Sequence, residues 1–175
     1  AWNHHRAVVR WSYDHDVRET SSDTTAAPDA RVKRSALLAR LADSTDVPLV
    51  VVSAGAGFGK TTLAAQWAAH DTRPHAVVRV GRFMDDPATL ALHLVDALES
   101  VGADAGATRA VVTAAEPRFS AVVLPALSRL AASPTTPYVL VVDDIHLLAD
   151  PDCHEVLHNV ARGIPQGSQL AVLSR

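Results

Sequence analysis

The chain has 175 residues, of which 48% are hydrophobic, and this length favours one domain with a sizeable core over two complete domains. The formal net charge of −3 and the pI near 6.3 argue against the strongly basic surface of a dedicated nucleic-acid binder. The apolar runs are far shorter than the ~20 residues that span a bilayer, so we expect a protein without a membrane partner.

Residues 1–30 differ in composition from the rest of the chain. They are rich in His, Asp, Ser, Thr and Arg and show no sustained hydrophobic period, which predicts a disordered or loosely docked N-terminal arm. The aromatic residues Trp2, Trp11 and Tyr13 leave open that this arm docks on the domain or on a partner. Because the chain begins with Ala1 and no signal pattern follows, we expect a processed start or a fragment of a longer protein.

From residue 31 onward, predicted helices and strands alternate along the chain. Runs of β-branched and apolar residues predict strands at 47–53, 75–80, 138–143 and 169–173. Periodic apolar residues and helix-start signals predict helices at 35–42, 61–70, 87–100, 120–132 and 151–162. Asp86 and Asp150 are the predicted N-caps of the third and fifth of these helices. This alternation predicts an α/β fold, a three-layer sandwich with a mostly parallel sheet and helices on both faces.

A glycine-rich stretch joins the first predicted strand to the helix that follows it. In order, its residues are Ala54, Gly55, Ala56, Gly57, Phe58, Gly59, Lys60 and Thr61. The backbone N–H groups of such a loop and the positive end of the helix converge on one point, where a phosphate chain fits. Lys60 would bring its charge to the β and γ phosphates, the Thr61 hydroxyl would ligate Mg²⁺, and Thr62 would add a hydroxyl to a phosphate. The sequence therefore predicts a P-loop that binds ATP or ADP with Mg²⁺, although Ala54 stands where the pattern has Gly; the alternative is a glycine-rich loop without a ligand.

Two carboxylates, Asp143 and Asp144, follow the third predicted strand. In open α/β sheets ligands bind at the carboxyl ends of the strands, so we expect Asp143 to face the glycine-rich loop. We predict that Asp143 holds Mg²⁺ through water and that Asp144 orients or deprotonates the attacking water. The alternative is a capped turn before Ile145 without a catalytic role.

In order and spacing, these motifs resemble the N-terminal ATPase domain of the MalT-like, large ATP-binding LuxR-family regulators, which belong to the STAND class of signalling ATPases. The resemblance covers residues 31–175. It is carried by Val32-x-Arg34-x-x-Leu37-Leu38, by 56–63 with Gln66-Trp67, by Asp86-Pro87 with Leu94 and Leu98, by Asp143-Asp144-Ile145-His146-Leu147, and by Pro165 with Leu173-Ser174-Arg175. Ala36 and Leu90 depart from it, since the family usually has Arg and Phe at these positions.

The resemblance implies a P-loop NTPase domain at 31–175 that binds ATP and hydrolyses it slowly. In that family the nucleotide switches a regulator between a closed resting form and an open, self-associating form that activates transcription. The resemblance places Arg34 near the base and Arg175 at the position that senses the γ-phosphate. The family's inducer-sensing repeats and its DNA-binding helix-turn-helix lie further downstream. We therefore expect this domain to be truncated at its C-terminus and to meet DNA only through a missing domain.

Two other classes of P-loop protein stay open on the residues alone. A small metabolic kinase would need an acceptor pocket and an arginine-rich lid, whereas Arg109, Arg118 and Arg129 are scattered. A general AAA-like ATPase would need an arginine finger at a subunit edge, a role that Arg118 could fill.

The stretch His154-Glu155-Val156-Leu157-His158 matches the zinc-protease pattern, in which two histidines one helical turn apart bind the metal. No His, Asp, Glu or Cys follows His158, so a third ligand would have to come from upstream. Cys153 shares a helical stripe with Val156 and Val160, which predicts a packed core thiol. A single cysteine also excludes an intramolecular disulfide and favours a reducing, cytoplasmic location.

Overall fold

The computed structural model describes residues 35–175, and within them four short strands form one parallel sheet. The strands are β1 (Leu49–Ser53), β2 (His75–Arg79), β3 (Val139–Asp143) and β4 (Gln169–Ser174). Their order across the sheet is β1-β4-β3-β2, and each neighbouring pair is parallel. β3 is buried at every position, as a strand covered on both faces requires. The carboxyl ends of all four strands therefore lie at the same edge of the sheet.

Helices flank these strands throughout the described part of the chain. The α-helices are α1 (Ser35–Ala42), α2 (Lys60–His70), α3 (Pro87–Ser100), α4 (Gly106–Val112), α5 (Leu124–Ala131) and α6 (Pro151–Gly163). Short 3₁₀ turns follow β2 at Arg82–Met84 and β3 at Ile145–Leu147, and a π-helical turn at Phe119–Val123 precedes α5.

Most of the predicted elements are confirmed, with ends shifted by about two residues or fewer. Two differences have physical causes. The helix predicted at 120–132 divides into the π-helical turn and α5, because Pro125 has no N–H to continue the helical hydrogen bonds. Helix α4 was not predicted, since it is only seven residues long and begins with Gly106, a poor helix former.

Apolar side chains pack on both faces of the sheet. The larger core lies against α3, α5 and α6 and includes Leu94 and Val156. The smaller core lies against α1 and α2 and includes Leu41, Leu63 and Trp67. The predicted α/β sandwich, with a parallel sheet between two layers of helices, is thus confirmed and is consistent with a P-loop NTPase fold.

A polar network closes the edge of the sheet at the amino ends of the strands. Arg73 donates hydrogen bonds to Asp71 at 2.6 Å, to the carbonyl oxygen of Gly167 at 2.8 Å and to Gln169 Oε1 at 2.7 Å. The buried Gln169 side chain in turn donates to the carbonyl oxygen of Ser44 at 2.7 Å. Burial acts to raise the pKa of Asp71, but the hydrogen bonds and charge of Arg73 hold it well below its ordinary value. The candidate site lies at the opposite edge of the sheet, where the strands have their carboxyl ends.

Candidate nucleotide-binding site

The glycine-rich loop runs from the end of β1 at Ser53 to the first residue of α2, Lys60. Gly57 and Gly59 have φ angles of 80° and 70°, a region that glycine enters without steric cost. Gly59 is also the N-cap of α2, and no side chain caps this helix start. The first N–H groups of α2 are therefore left for an external acceptor, and phosphate oxygens bind at helix N-termini in this way.

Lys60 is buried within the loop that precedes it. Its Nζ donates to the carbonyl oxygen of Ala54 at 2.7 Å and to that of Gly55 at 3.1 Å, which points the amine into the curve of the loop. The ring of Phe58 covers Gly55 so closely that a Cβ there would lie 2.9 Å from ring atom Cε2. Ala56 and Phe58 are exposed at the surface of the loop. The loop thus holds one ammonium group on its inner side, next to the uncapped start of α2.

Thr61 and Asp143 lie in contact although they are 82 residues apart in the chain. The Thr61 hydroxyl donates to Asp143 Oδ2 at 2.6 Å, and Asp143 Oδ1 accepts from the backbone N–H of Asp144 at 2.8 Å. Asp143 itself is 2% exposed. Hydroxyl and carboxylate oxygens are hard ligands of the kind that Mg²⁺ prefers. The pair is therefore a candidate to hold Mg²⁺.

Asp144 has a left-handed backbone, with φ 62° and ψ 34°, and is the one such non-glycine residue between 35 and 175. Asp tolerates this conformation better than most residues, yet it is strained and such residues often occur at functional sites. The Asp144 carbonyl accepts from the N–H of Leu147 at 3.0 Å, and its carboxylate lies 3.8 Å from His146 Nδ1. Its side chain is 36% exposed. The backbone thus holds this carboxylate at the carboxyl edge of the sheet, where water reaches it.

The remaining residues that the sequence predicts for the site lie around this centre. Arg175 is exposed and directly follows β4, whose Ser174 accepts a hydrogen bond from the N–H of Ala54 at 3.2 Å. Arg175 therefore lies beside the start of the loop. Thr62 is exposed in the first turn of α2. Arg34 and the arm at 1–30 lie outside the described residues, so their roles stay predictions.

Asp85 is a residue of this edge that the sequence did not single out. Its Oδ1 accepts hydrogen bonds from the N–H groups of Ala149 at 2.9 Å and Asp150 at 2.8 Å. The carboxylate thereby ties the turn after β2 to the loop after β3, which carries Asp144. The next residue, Asp86, is the N-cap of α3, as predicted. Asp85 could not be found from the sequence, because its two partners lie 64 and 65 residues away in the chain.

Helix α6 carries two other features that the sequence singled out, the zinc-protease pattern at 154–158 and Cys153. His154 Nε2 lies 3.1 Å from the carbonyl oxygen of Leu148. Across 35–175, no group of three His, Cys, Asp or Glu side chains is arranged to hold a metal ion by itself. Cys153 is buried in the larger core, as predicted, and burial raises its pKa to about 11, with the charges of Asp150 and Asp85 adding to the effect. Such a thiol stays protonated and unreactive at neutral pH. None of the helices in the described part is long and apolar enough to cross a membrane.

Comparison with known proteins agrees with this geometry. A family model described as an AAA ATPase domain matches residues 31–173. The HTH-type transcriptional regulator MalT of Cronobacter sakazakii is 33% identical over 153 residues, and that of Klebsiella pneumoniae is 31% identical over 150 residues. Each alignment covers 82% of this chain but only 16% of the relative, so the chain spans a small part of these regulators. The resemblance to the ATPase domain of MalT-like regulators is thus confirmed, and the chain belongs to the AAA ATPase domain family.

Proposed function

We propose that this chain is the ATP-binding domain of a signal-responsive transcriptional regulator and that it acts there as a nucleotide switch. It binds ATP or ADP with Mg²⁺ and hydrolyses ATP slowly. The observation that carries the proposal is the hydrogen bond between Thr61 and Asp143, because it joins the end of the phosphate loop to a carboxylate at the end of the inner strand β3. Membership of the AAA ATPase domain family and the similarity to MalT support it.

Each residue of the site has a distinct role in this proposal. The N–H groups of the loop and the Lys60 ammonium bind the phosphates. Thr61 and, through water, Asp143 hold Mg²⁺, which supplies charge neutralisation on the phosphates when it is bound. Asp144 orients or deprotonates the attacking water. Arg175 reaches the γ-phosphate from the β4 side of the loop, and Thr62 adds a hydroxyl to a phosphate.

The proposal extends to the longer protein through the MalT relatives, which are named as transcriptional regulators with a helix-turn-helix. In the longer protein, the conformation of this domain depends on whether ATP or ADP is bound, and self-association depends on that conformation. A different part of the protein binds DNA. The cytoplasm is the expected location, because transcription occurs there in bacteria and the chain contains one buried, unpaired cysteine.

A Lys60→Ala variant tests the binding step. Titration of fluorescent ATP and ADP onto the purified chain should give at least tenfold weaker binding of both nucleotides to the variant, since the loop loses its only ammonium group. Arg129→Ala is the matched control, because it removes an exposed cation from α5 on the other face of the sheet. Equal affinities of wild type and Lys60→Ala would overturn the proposal.

Product analysis separates the switch from a small metabolic kinase. With ATP and Mg²⁺ alone, a switch should release phosphate at a low rate that added small-molecule acceptors do not change. Transfer of the phosphate to an acceptor would instead favour the kinase.

A further inference from the structure

Arg79 is the last residue of β2, and the register of the sheet places it directly beside Asp143 of β3. Adjacent positions of neighbouring parallel strands point to the same face of a sheet. The sequence alone does not reveal this relation, because it depends on β2 and β3 being neighbours.

The packing shows which face the two side chains share. Val78, one residue before Arg79, lies in the larger core together with Val142, one residue before Asp143. Arg79 and Asp143 therefore point to the other face, which carries α2. The contact between the rings of His75, on the same face of β2, and Trp67 of α2, with centroids 5.3 Å apart, agrees with this assignment.

The Arg79 side chain is consequently on the side of the sheet where the phosphate loop leads into α2. Neighbouring strands lie about 4.8 Å apart, a gap that an arginine side chain spans. Directly across that gap, Asp143 accepts the hydrogen bond from Thr61 in the first turn of α2. Arg79 thus approaches the candidate Mg²⁺ site from the flank opposite to β4 and Arg175.

The guanidinium of Arg79 is available for a ligand. The residue is exposed, and its side chain has no hydrogen bond or ion pair with any residue that the structure describes. A guanidinium presents a planar fork of N–H donors that matches the oxygens of a phosphate group. A cation with free donors beside the Thr61–Asp143 pair is suited to an anion that lies beyond that pair.

We propose that Arg79 binds the terminal phosphate of ATP and so makes the site prefer ATP to ADP. The inference rests on the proposed function. In the proposed function the loop N–H groups and Lys60 bind the β-phosphate, which ATP and ADP share, and Lys60 also reaches the γ-phosphate. Arg79 lies across Asp143 on β2, next to the carboxylate that Thr61 contacts, and there it would meet the γ-phosphate alone. Loss of Arg79 therefore removes a contact that only the triphosphate makes.

The test compares the dissociation constants of ATP and ADP, both with Mg²⁺, for the wild type and for Arg79→Ala. Arg79→Ala should weaken ATP binding at least tenfold and change ADP binding less than twofold. Arg79→Lys keeps the charge but loses the planar fork of donors, so its dissociation constant for ATP should lie between those of the wild type and Arg79→Ala. Arg129→Ala, on the other face of the sheet, should bind both nucleotides as the wild type does.

Several outcomes would overturn the inference. Unchanged ATP binding in Arg79→Ala does so, as does an equal loss of ATP and ADP affinity in both Arg79 variants, which would indicate a structural role. An ATP-specific loss in Arg82→Ala but not in Arg79→Ala would assign the contact to the turn after β2. If Lys60→Ala loses both nucleotides while Arg79→Ala loses neither, the proposed function stands and only this inference fails. If the wild type binds neither nucleotide, both the proposed function and this inference are wrong.

Discussion

At the scale of single residues, Asp143 is the point where three segments of the site meet. Its carboxylate accepts hydrogen bonds from Thr61 and from the N–H of Asp144, and its carbonyl oxygen accepts one from the N–H of Val80 at 2.9 Å. The glycines, Lys60 and Thr61 can be singled out from the sequence because they lie within one short stretch. The sequence does not predict Arg79, whose partner position lies on another strand.

A second residue with a long-range environment is His75, at the start of β2. Its ring packs edge-on against Trp67, and Asp71 Oδ2 lies 3.4 Å from Nε2 without forming a well-aligned hydrogen bond. Burial lowers the pKa of His75, the nearby Asp71 carboxylate opposes this shift, and the Arg73 charge reinforces it.

This lowered pKa predicts a loss of stability in mild acid. The unfolded chain takes up a proton on His75 near pH 6.5, whereas the lowered pKa delays this protonation in the folded chain to more acidic pH. The contribution of His75 is therefore complete above that pH and falls as the pH drops below it. Replacing His75 with Phe keeps the ring contact and removes the titration.

Urea unfolding of the wild type and His75→Phe at pH 8, 7, 6 and 5 measures the effect. The free energy of unfolding of the wild type should fall relative to the variant as the pH drops. His93→Phe, at an exposed position on α3, should follow the wild-type profile. A constant difference between wild type and His75→Phe across this range would contradict the argument.

At the scale of elements, α5 and α6 lie so close together at Gly163 that no side chain fits between them. A Cβ at Gly163, the last residue of α6, would lie 2.0 Å from the carbonyl oxygen of Ser128 and 3.0 Å from the Cβ of Ala131. The periodicity of the sequence predicts both helices but not this close contact, since nothing local distinguishes Gly163 from a glycine that merely ends a helix.

Gly163→Ala should therefore destabilise the protein by about 3 kcal/mol, because the backbone of α5 or α6 must move to admit the methyl group. Gly106→Ala is the matched control. Its nearest neighbouring atom would lie 3.7 Å away, and alanine at a helix start should be neutral or stabilising by up to about 1 kcal/mol. Denaturant unfolding of both variants gives the comparison, and a Gly163→Ala variant as stable as the wild type would show that the close packing is not needed.

Helix α4 shows the same limit of local signals. Its Arg109 forms ion pairs with Asp96 and Glu99 of α3, and its Thr108 and Val112 are buried. The ion-pair partners of Arg109 lie on α3, outside the seven residues of α4. A short helix that depends on tertiary packing cannot be recognised from its own sequence.

At the scale of the whole molecule, the strand order brings the site together. β4 lies between β1, which leads into the phosphate loop, and β3, which ends in Asp143. The two strands are therefore not neighbours, and α2 must carry Thr61 to Asp143 beyond the carboxyl end of β4. The alternation of helices and strands predicted the parallel sheet, and the place of Asp143 at the carboxyl end of a strand predicted that it faces the loop. The order of the strands adds what the sequence did not show, that Arg79 lies beside Asp143.

The central claim is that the loop and β3 together form one site for a nucleotide with Mg²⁺. The most direct measurement is the change in ATP affinity on adding Mg²⁺, for the wild type, Thr61→Val, Asp143→Asn and the remote control Thr113→Val. Mg²⁺ should tighten ATP binding to the wild type and the control and should have little effect on the other two variants, because Thr61→Val loses the hydroxyl ligand and Asp143→Asn loses the negative charge that holds Mg²⁺ through water. A full Mg²⁺ effect in Thr61→Val and Asp143→Asn, or none in the wild type, would contradict the claim.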